Sequence, residues 1–350
     1  MQGKQHEDCL RLLSRYRGAL MGFGALLVLF YHCWIPLVPG HKVLGGLEAV
    51  LKQVSFFGVD IFFFLSGMGL TYAIRKESLP RFYARRFARL APPFLIMAII
   101  RALSEGWTAA QLLSRISGVT FFAECTYTFL WFVPAAMTLY LLFPLYHWAL
   151  TRARSEAAFT LSAIGLWLIA SLLLGQVLRE DLWLFLNRVP IFLLGALAGR
   201  LGQKKRAVDL RAPELLIMLV LGCMLFRLCM RGRCSLFPLI YCSAPTAMMA
   251  VSASLLLAMA FDAMARRGKV FGGLSRALTG LLSFVGGFTL ELYCVQEKLY
   301  EVVYMALEGR VSYTVINAVS IPVCLAAGWA LHALLALAAR AICGRFSKKG

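Results

Sequence analysis

The sequence predicts an all-α fold, a polytopic integral membrane protein of about ten transmembrane helices. Three observations predict it. Of the 350 residues, 60% are hydrophobic and only 15% charged, whereas a soluble globular chain is about 45–50% apolar and about 25% charged. Mean hydropathy is +0.75. The chain is nevertheless strongly basic, with 36 Lys+Arg against 17 Asp+Glu and a net charge of +19. A chain that is both apolar and basic suits a membrane protein whose cations sit in cytoplasmic connections. It does not suit a disordered chain, a nucleic-acid-binding domain or an ordinary cytosolic enzyme.

A membrane-crossing helix needs about 20 mostly apolar residues. Ten stretches qualify: Gly18–Val38, Val54–Ile74, Leu90–Glu105, Phe129–Leu150, Ala157–Leu178, Leu184–Leu201, Pro213–Arg231, Leu236–Phe261, Leu281–Met305 and Val315–Ile342. The first is too long for a signal peptide, and the bulky run from His32 to Pro36 offers no cleavage site. No gap is large enough for a soluble domain, so residues 1–350 read as one membrane domain with tails at about 1–17 and 343–350.

The cations assign sides. One set of alternate connections holds Lys4, Arg11, Arg15 and Arg17; Arg75, Lys76, Arg81, Arg85, Arg86 and Arg89; Arg152 and Arg154; Arg200, Lys204, Lys205, Arg206 and Arg211; Arg266, Arg267, Lys269 and Arg276; and Arg340, Arg345, Lys348 and Lys349. That is 25 of the 36. Every second connection is basic, the positive-inside pattern, which places both termini in the cytoplasm; a multi-pass protein of the plasma membrane is the expectation. No repeat suggests the paired halves of a transporter. The ten cysteines follow no metal-ligand spacing, so no metal is expected. Cys234 and Cys242 could meet on the outer side or remain free thiols.

Ionisable groups inside spans are costly and mark function. His32, Asp60, Arg101, Arg188, Gln296 and Glu297 all fall in the outer third of their spans, with Glu291 deeper, and this predicts a polar cavity. A buried imidazole near a carboxylate can serve as a general base, and His32 with Asp60 fits that role. On the inner side Arg86 and Arg89 are three residues apart and share a helical face. Two guanidinium forks suit phosphate, although topology alone also places arginines there. The run Gly58-Val-Asp60-Ile-Phe-Phe-Phe-Leu-Ser66-Gly67 sets an acid in a phenylalanine-rich helix, with Gly67 and Gly69 permitting close helix approach.

These segments together resemble the membrane-bound acyltransferase-3 family, which includes O-acetylases of surface glycans. The resemblance covers nearly the whole chain. It is carried by Arg17 through His32, by Gly58 through Gly67, by Arg85-Arg86-Phe-Ala-Arg89-Leu-Ala-Pro92 and by Asn187-Arg188-Val-Pro190-Ile-Phe-Leu-Leu-Gly195. Leu130-Trp131-Phe-Val-Pro134 and Phe288-Thr-Leu-Glu291-Leu-Tyr293 also fit. The resemblance implies transfer of an acyl group, commonly acetyl, from cytoplasmic acyl-CoA to a sugar hydroxyl on a glycan or lipid-linked precursor. Acyl-CoA enters as co-substrate, with no permanently bound cofactor. His32 is the implied base, helped by Asp60. Arg86 and Arg89, with Arg17, are implied to hold the donor. Trp131, Arg188 and Gln296 are candidate acceptor contacts. Ser66, Glu291 and Glu297 complete the polar cavity, and Ser66 is also the candidate for a covalent intermediate. Helix rise separates His32 from the inner arginines by on the order of 20 Å, the reach of an extended pantetheine arm.

Two positions depart from the family pattern. Met21 stands where its first-helix arginine usually lies, with Arg17 one turn further inward. Gln296 stands where a histidine is common in the ninth helix. Two other readings stay open. One is a transporter or flippase of an acyl donor or glycan precursor, and the other is a regulatory protein without turnover.

Overall fold

The computed structural model describes residues 8–124, 130–174, 182–231 and 238–347. Among them there are sixteen α-helices and no strand. Helix α1 is Cys9–Arg15 and α2 is Arg17–His32, the two meeting at 74°. Next come α3 Lys42–Val54, a 3-10 turn over Ser55–Phe57, α4 Gly58–Ala73 and α5 Leu79–Glu105. Short helices α6 Ala109–Ile116 and α7 Val119–Phe122 lead to α8 Phe132–Arg152 and α9 Glu156–Leu174. Then follow α10 Trp183–Leu186, α11 Val189–Gln203, α12 Ala212–Met230, α13 Pro238–Arg266, α14 Gly268–Gly287, α15 Thr289–Leu307 and α16 Tyr313–Ser347.

Among the described residues, nine helical stretches are long and apolar enough to cross a membrane, and ten when the bent pair α1–α2 counts as one. The chain is a polytopic helical membrane protein. The expected ends near 129, 175–178 and 236–237, and the question of Cys234 with Cys242, lie outside the described residues.

Local chemistry explains most boundaries. Helix α5 begins with Pro80 in its first turn and ends at Gly106, whose φ of +69° closes it. It starts eleven residues before the expected span, so Arg81 to Arg89 and the lipid-facing turns form one helix. Thr108 and Gln111 form a reciprocal capping box at the start of α6.

The N-terminal stretch expected as a tail contains α1, whose Cys9, Leu10, Leu12 and Leu13 are buried. At the other end α16 continues to Ser347. The expected span Leu281–Met305 is broken. Gly286-Gly287 weakens the helix, and Phe288 leaves it with φ −123° and ψ 29°. Helix α15 carries Glu291, Gln296, Glu297, Lys298 and Glu301 and falls short of membrane-spanning hydropathy, while α14 meets it.

Glycines set the closest packing. A Cβ on Gly67 would collide with the Phe192 carbonyl, and one on Gly195 with the Phe64 carbonyl. Gly199 in turn meets Met68 and Thr71, so α4 and α11 run side by side in one direction. Gly22 and Gly286 seat α2 against α14 in the same way, against the carbonyls of Leu282 and Gly18. Such small-residue seams are how helices associate where lipid is as apolar as leucine. Helix α15 runs beside α2. Its first turn holds Glu291 at Arg89, and Gln296 reaches His32 at the far end of α2.

Candidate functional site

Two cavities lie along α2 and α15. The larger, about 730 Å³, is lined by Arg17, Lys76, Arg86 and Arg89 together with Ser14, Ser66, Tyr72, Tyr140 and Tyr293. The smaller, about 90 Å³, is lined by His32, Ser55, Trp131 and Tyr293 with Tyr31, Phe56 and Leu184 among its walls. Tyr293 borders both.

The larger cavity is cationic because α2, α4 and α5 converge there. Arg17 opens α2, and its guanidinium lies over Gly69, where a Cβ would come within 3.0 Å of Nη2. Its Nη2 is also 3.5 Å from the Leu65 carbonyl, to which it donates. Met21, one turn on, lines the same cavity. Arg86 stacks on Phe82 at 5.2 Å, and its buried Nε has no hydrogen-bond partner.

Arg89 is already engaged. Both of its terminal nitrogens donate to Glu291, the Nη2–Oε2 pair at 2.9 Å, and Nη2 also donates to the Gly287 carbonyl at 3.3 Å. Glu291 is fully buried and pairs with His332 Nδ1 at 3.0 Å. The sequence groups Glu291 with the polar cavity. The structure puts it against Arg89, because the break at Phe288 leaves it in the first turn of α15, where an acid also suits the helix dipole. Ser66 lines the larger cavity and accepts a hydrogen bond from Tyr140 at 3.2 Å.

At the smaller cavity His32 is the last residue of α2. Its Nδ1 is 2.9 Å from the Val28 carbonyl and 3.1 Å from Gln296 Nε2. Tyr31 meets the imidazole edge-on at 5.4 Å. The expected partnership of His32 with Asp60 is not a direct one. Asp60 accepts from Thr246 at 3.2 Å and faces Arg188 Nη2 at 3.6 Å. Asp60 and Arg188 are both wholly buried. Arg188 donates to the Leu184 carbonyl and stacks against Phe56 at 4.4 Å and Trp131 at 5.4 Å. Its charge therefore sits behind the aromatic wall of the His32 cavity. In a chain of apolar spans a buried carboxylate pairs with a buried cation, here Arg188 at the N-cap of α11.

Glu297 lines neither cavity and faces the charge cluster of Arg101, Glu105, Lys298 and Glu301. Of the residues the sequence singled out, Arg17, Arg86, Arg89 and Ser66 line the larger cavity and His32 and Trp131 the smaller, while Gln296 meets His32 and Asp60 and Arg188 pair behind the aromatic wall. Tyr140, Lys76, Thr246 and His332 were not singled out. Lys76 reads as a topology cation and the others as ordinary span residues, so only their neighbours reveal them.

A family model described as an acyltransferase domain matches residues 19–333. No curated protein and no solved structure matches the chain. That one model spans nearly the whole helical domain, including every lining residue of the smaller cavity and those of the larger except Ser14, Arg17 and Gly18. The chain belongs to the acyltransferase-3 family and is a membrane acyltransferase.

Proposed function

We propose that this protein transfers an acyl group, acetyl in the first instance, from cytoplasmic acyl-CoA to a hydroxyl of a cell-surface glycan or lipid-linked sugar, from the plasma membrane with both termini in the cytoplasm. The observation that carries this reading is the pairing of a cationic cavity with a histidine cavity, joined at Tyr293. Arg17, Arg86 and Lys76 would meet the phosphates of the donor, with Arg89 poised on Glu291. The aromatic walls around His32, formed by Tyr31, Phe56 and Trp131, keep water from the reacting groups.

His32 acts as base. A carbonyl only accepts, so the contact with Val28 places the hydrogen on Nδ1 and the lone pair on Nε2. His32 Nε2 takes the hydroxyl proton as the acceptor oxygen attacks the thioester carbon. The carbon–oxygen bond forms, the carbon–sulfur bond breaks, and the proton passes to the departing thiolate.

The test supplies labelled acetyl-CoA to inside-out vesicles. Covalent label on glycan or lipid is expected, and unmodified label crossing the membrane would favour a transporter instead. His32→Ala should lower the transfer rate by about 10²–10⁴-fold, the usual share of a general base, while donor binding stays within about twofold. Full transfer by that variant would sink the scheme.

A further inference from the structure

We propose that the Tyr293 ring is the door between the two cavities and sets the length of acyl group the enzyme accepts. The inference rests on the donor assignment above. A thioester held by its phosphates in the larger cavity must present its acyl carbon to His32 in the smaller one. Tyr293 is the α15 side chain that borders both. It is 7% exposed, its ring lies 5.3 Å from that of Phe132, and its hydroxyl accepts from the Phe132 N–H at 3.4 Å. On the same helix Glu291, two residues earlier, holds Arg89, and Gln296, three residues later, touches His32. The door is therefore hung on an element that contacts both the donor arginine and the base.

The room beyond the door is small. A cavity of about 90 Å³ is well below the roughly 150 Å³ that accommodates benzene with its six heavy atoms, a size that suits the three heavy atoms of an acetyl group and not a hexanoyl chain. A longer chain must push back Tyr293 or the aromatic walls. Removing the ring merges the two spaces and relaxes that limit. The ring acts by its bulk and packing, so it is a specificity-determining residue and not a catalytic one.

The experiment compares acetyl-, butyryl- and hexanoyl-CoA as competing donors in membranes carrying the wild-type protein, Tyr293→Phe or Tyr293→Ala. The wild type and Tyr293→Phe should favour acetyl, while Tyr293→Ala should raise the hexanoyl-to-acetyl ratio at least about tenfold, the low end for one methylene in an apolar pocket. Tyr293→Leu, a smaller cut, carries the same comparison should the alanine variant not fold. An unchanged ratio in the shortened variants overturns the proposal, and so does an equal shift in Tyr293→Phe, which would assign the effect to the hydroxyl. A wild type that transfers acetyl with no such shift leaves the donor assignment standing and removes only the door. A wild type that transfers from none of the three removes the donor assignment itself.

Discussion

His32 ends its helix with two groups competing for one nitrogen. The Val28 carbonyl requires a hydrogen on Nδ1, whereas the Gln296 amide nitrogen would require a lone pair there. The conflict disappears when the Gln296 amide is turned, because its Oε1 is buried without a partner and can share the Nδ1 hydrogen with Val28. Gln296 then fixes the tautomer from a position where family members often carry a histidine.

The Asp60–Arg188 pair works differently, by holding charge behind the aromatic wall. Asp60→Ala would strand the Arg188 guanidinium in a fully buried site, at a cost of about 3–5 kcal/mol, read as a lowered Tm in detergent. Combining it with Arg188→Met removes both charges and should recover more than half of that loss. A double variant as unstable as the single one would show that stranded charge is not the cause.

At the scale of helices, close seams and one break position these residues. The seam between α4 and α11 carries Asp60 and Ser66 on one helix and places the other directly after Arg188. Gly67→Val would drive a side chain into the Phe192 carbonyl, which should cost about 1–3 kcal/mol as overpacking. Gly280→Ala meets nothing within 4 Å and should be neutral or stabilise by up to about 1 kcal/mol. Melting curves of the two variants in detergent separate the seam from a general intolerance of helix glycines. The break at Phe288 matters equally. With one unbroken helix over 281–305, Glu291 would fall in mid-span. With the break it lies in a first turn and holds Arg89.

At the scale of the whole molecule the cations describe a direction. The Arg17, Arg86 and Arg89 end belongs to the basic set of connections, and the His32 end carries the connection between α15 and α16 and the start of α16, whose Thr314 donates to the Leu37 carbonyl. In a background without the native cysteines, a cysteine placed at Gly309 should react with an impermeant maleimide in intact cells. One at Lys205 should react only after the cells are opened. The reverse pattern would invert the orientation and move the donor to the wrong side. The same long view explains what was readable: apolar length and alternating charge act along the chain, so the helical membrane fold, the basic ends and the paired arginines of α5 were legible. Helix α14 was not, because its apolar stretch was joined across Phe288 to that of α15.

By itself the sequence determined that this is a helical membrane protein of the acyltransferase-3 type, with His32 and the α5 arginines at opposite ends of the apolar core. Those properties depend on composition, local spacing and residue type. Only the tertiary structure decided the partners: Asp60 with Arg188 rather than His32, Glu291 with Arg89, Gln296 with His32, and Tyr293 between the cavities. Each of these pairs residues more than a hundred positions apart or joins separate helices, and buried polar groups in an apolar interior take whichever partner the packing brings within reach.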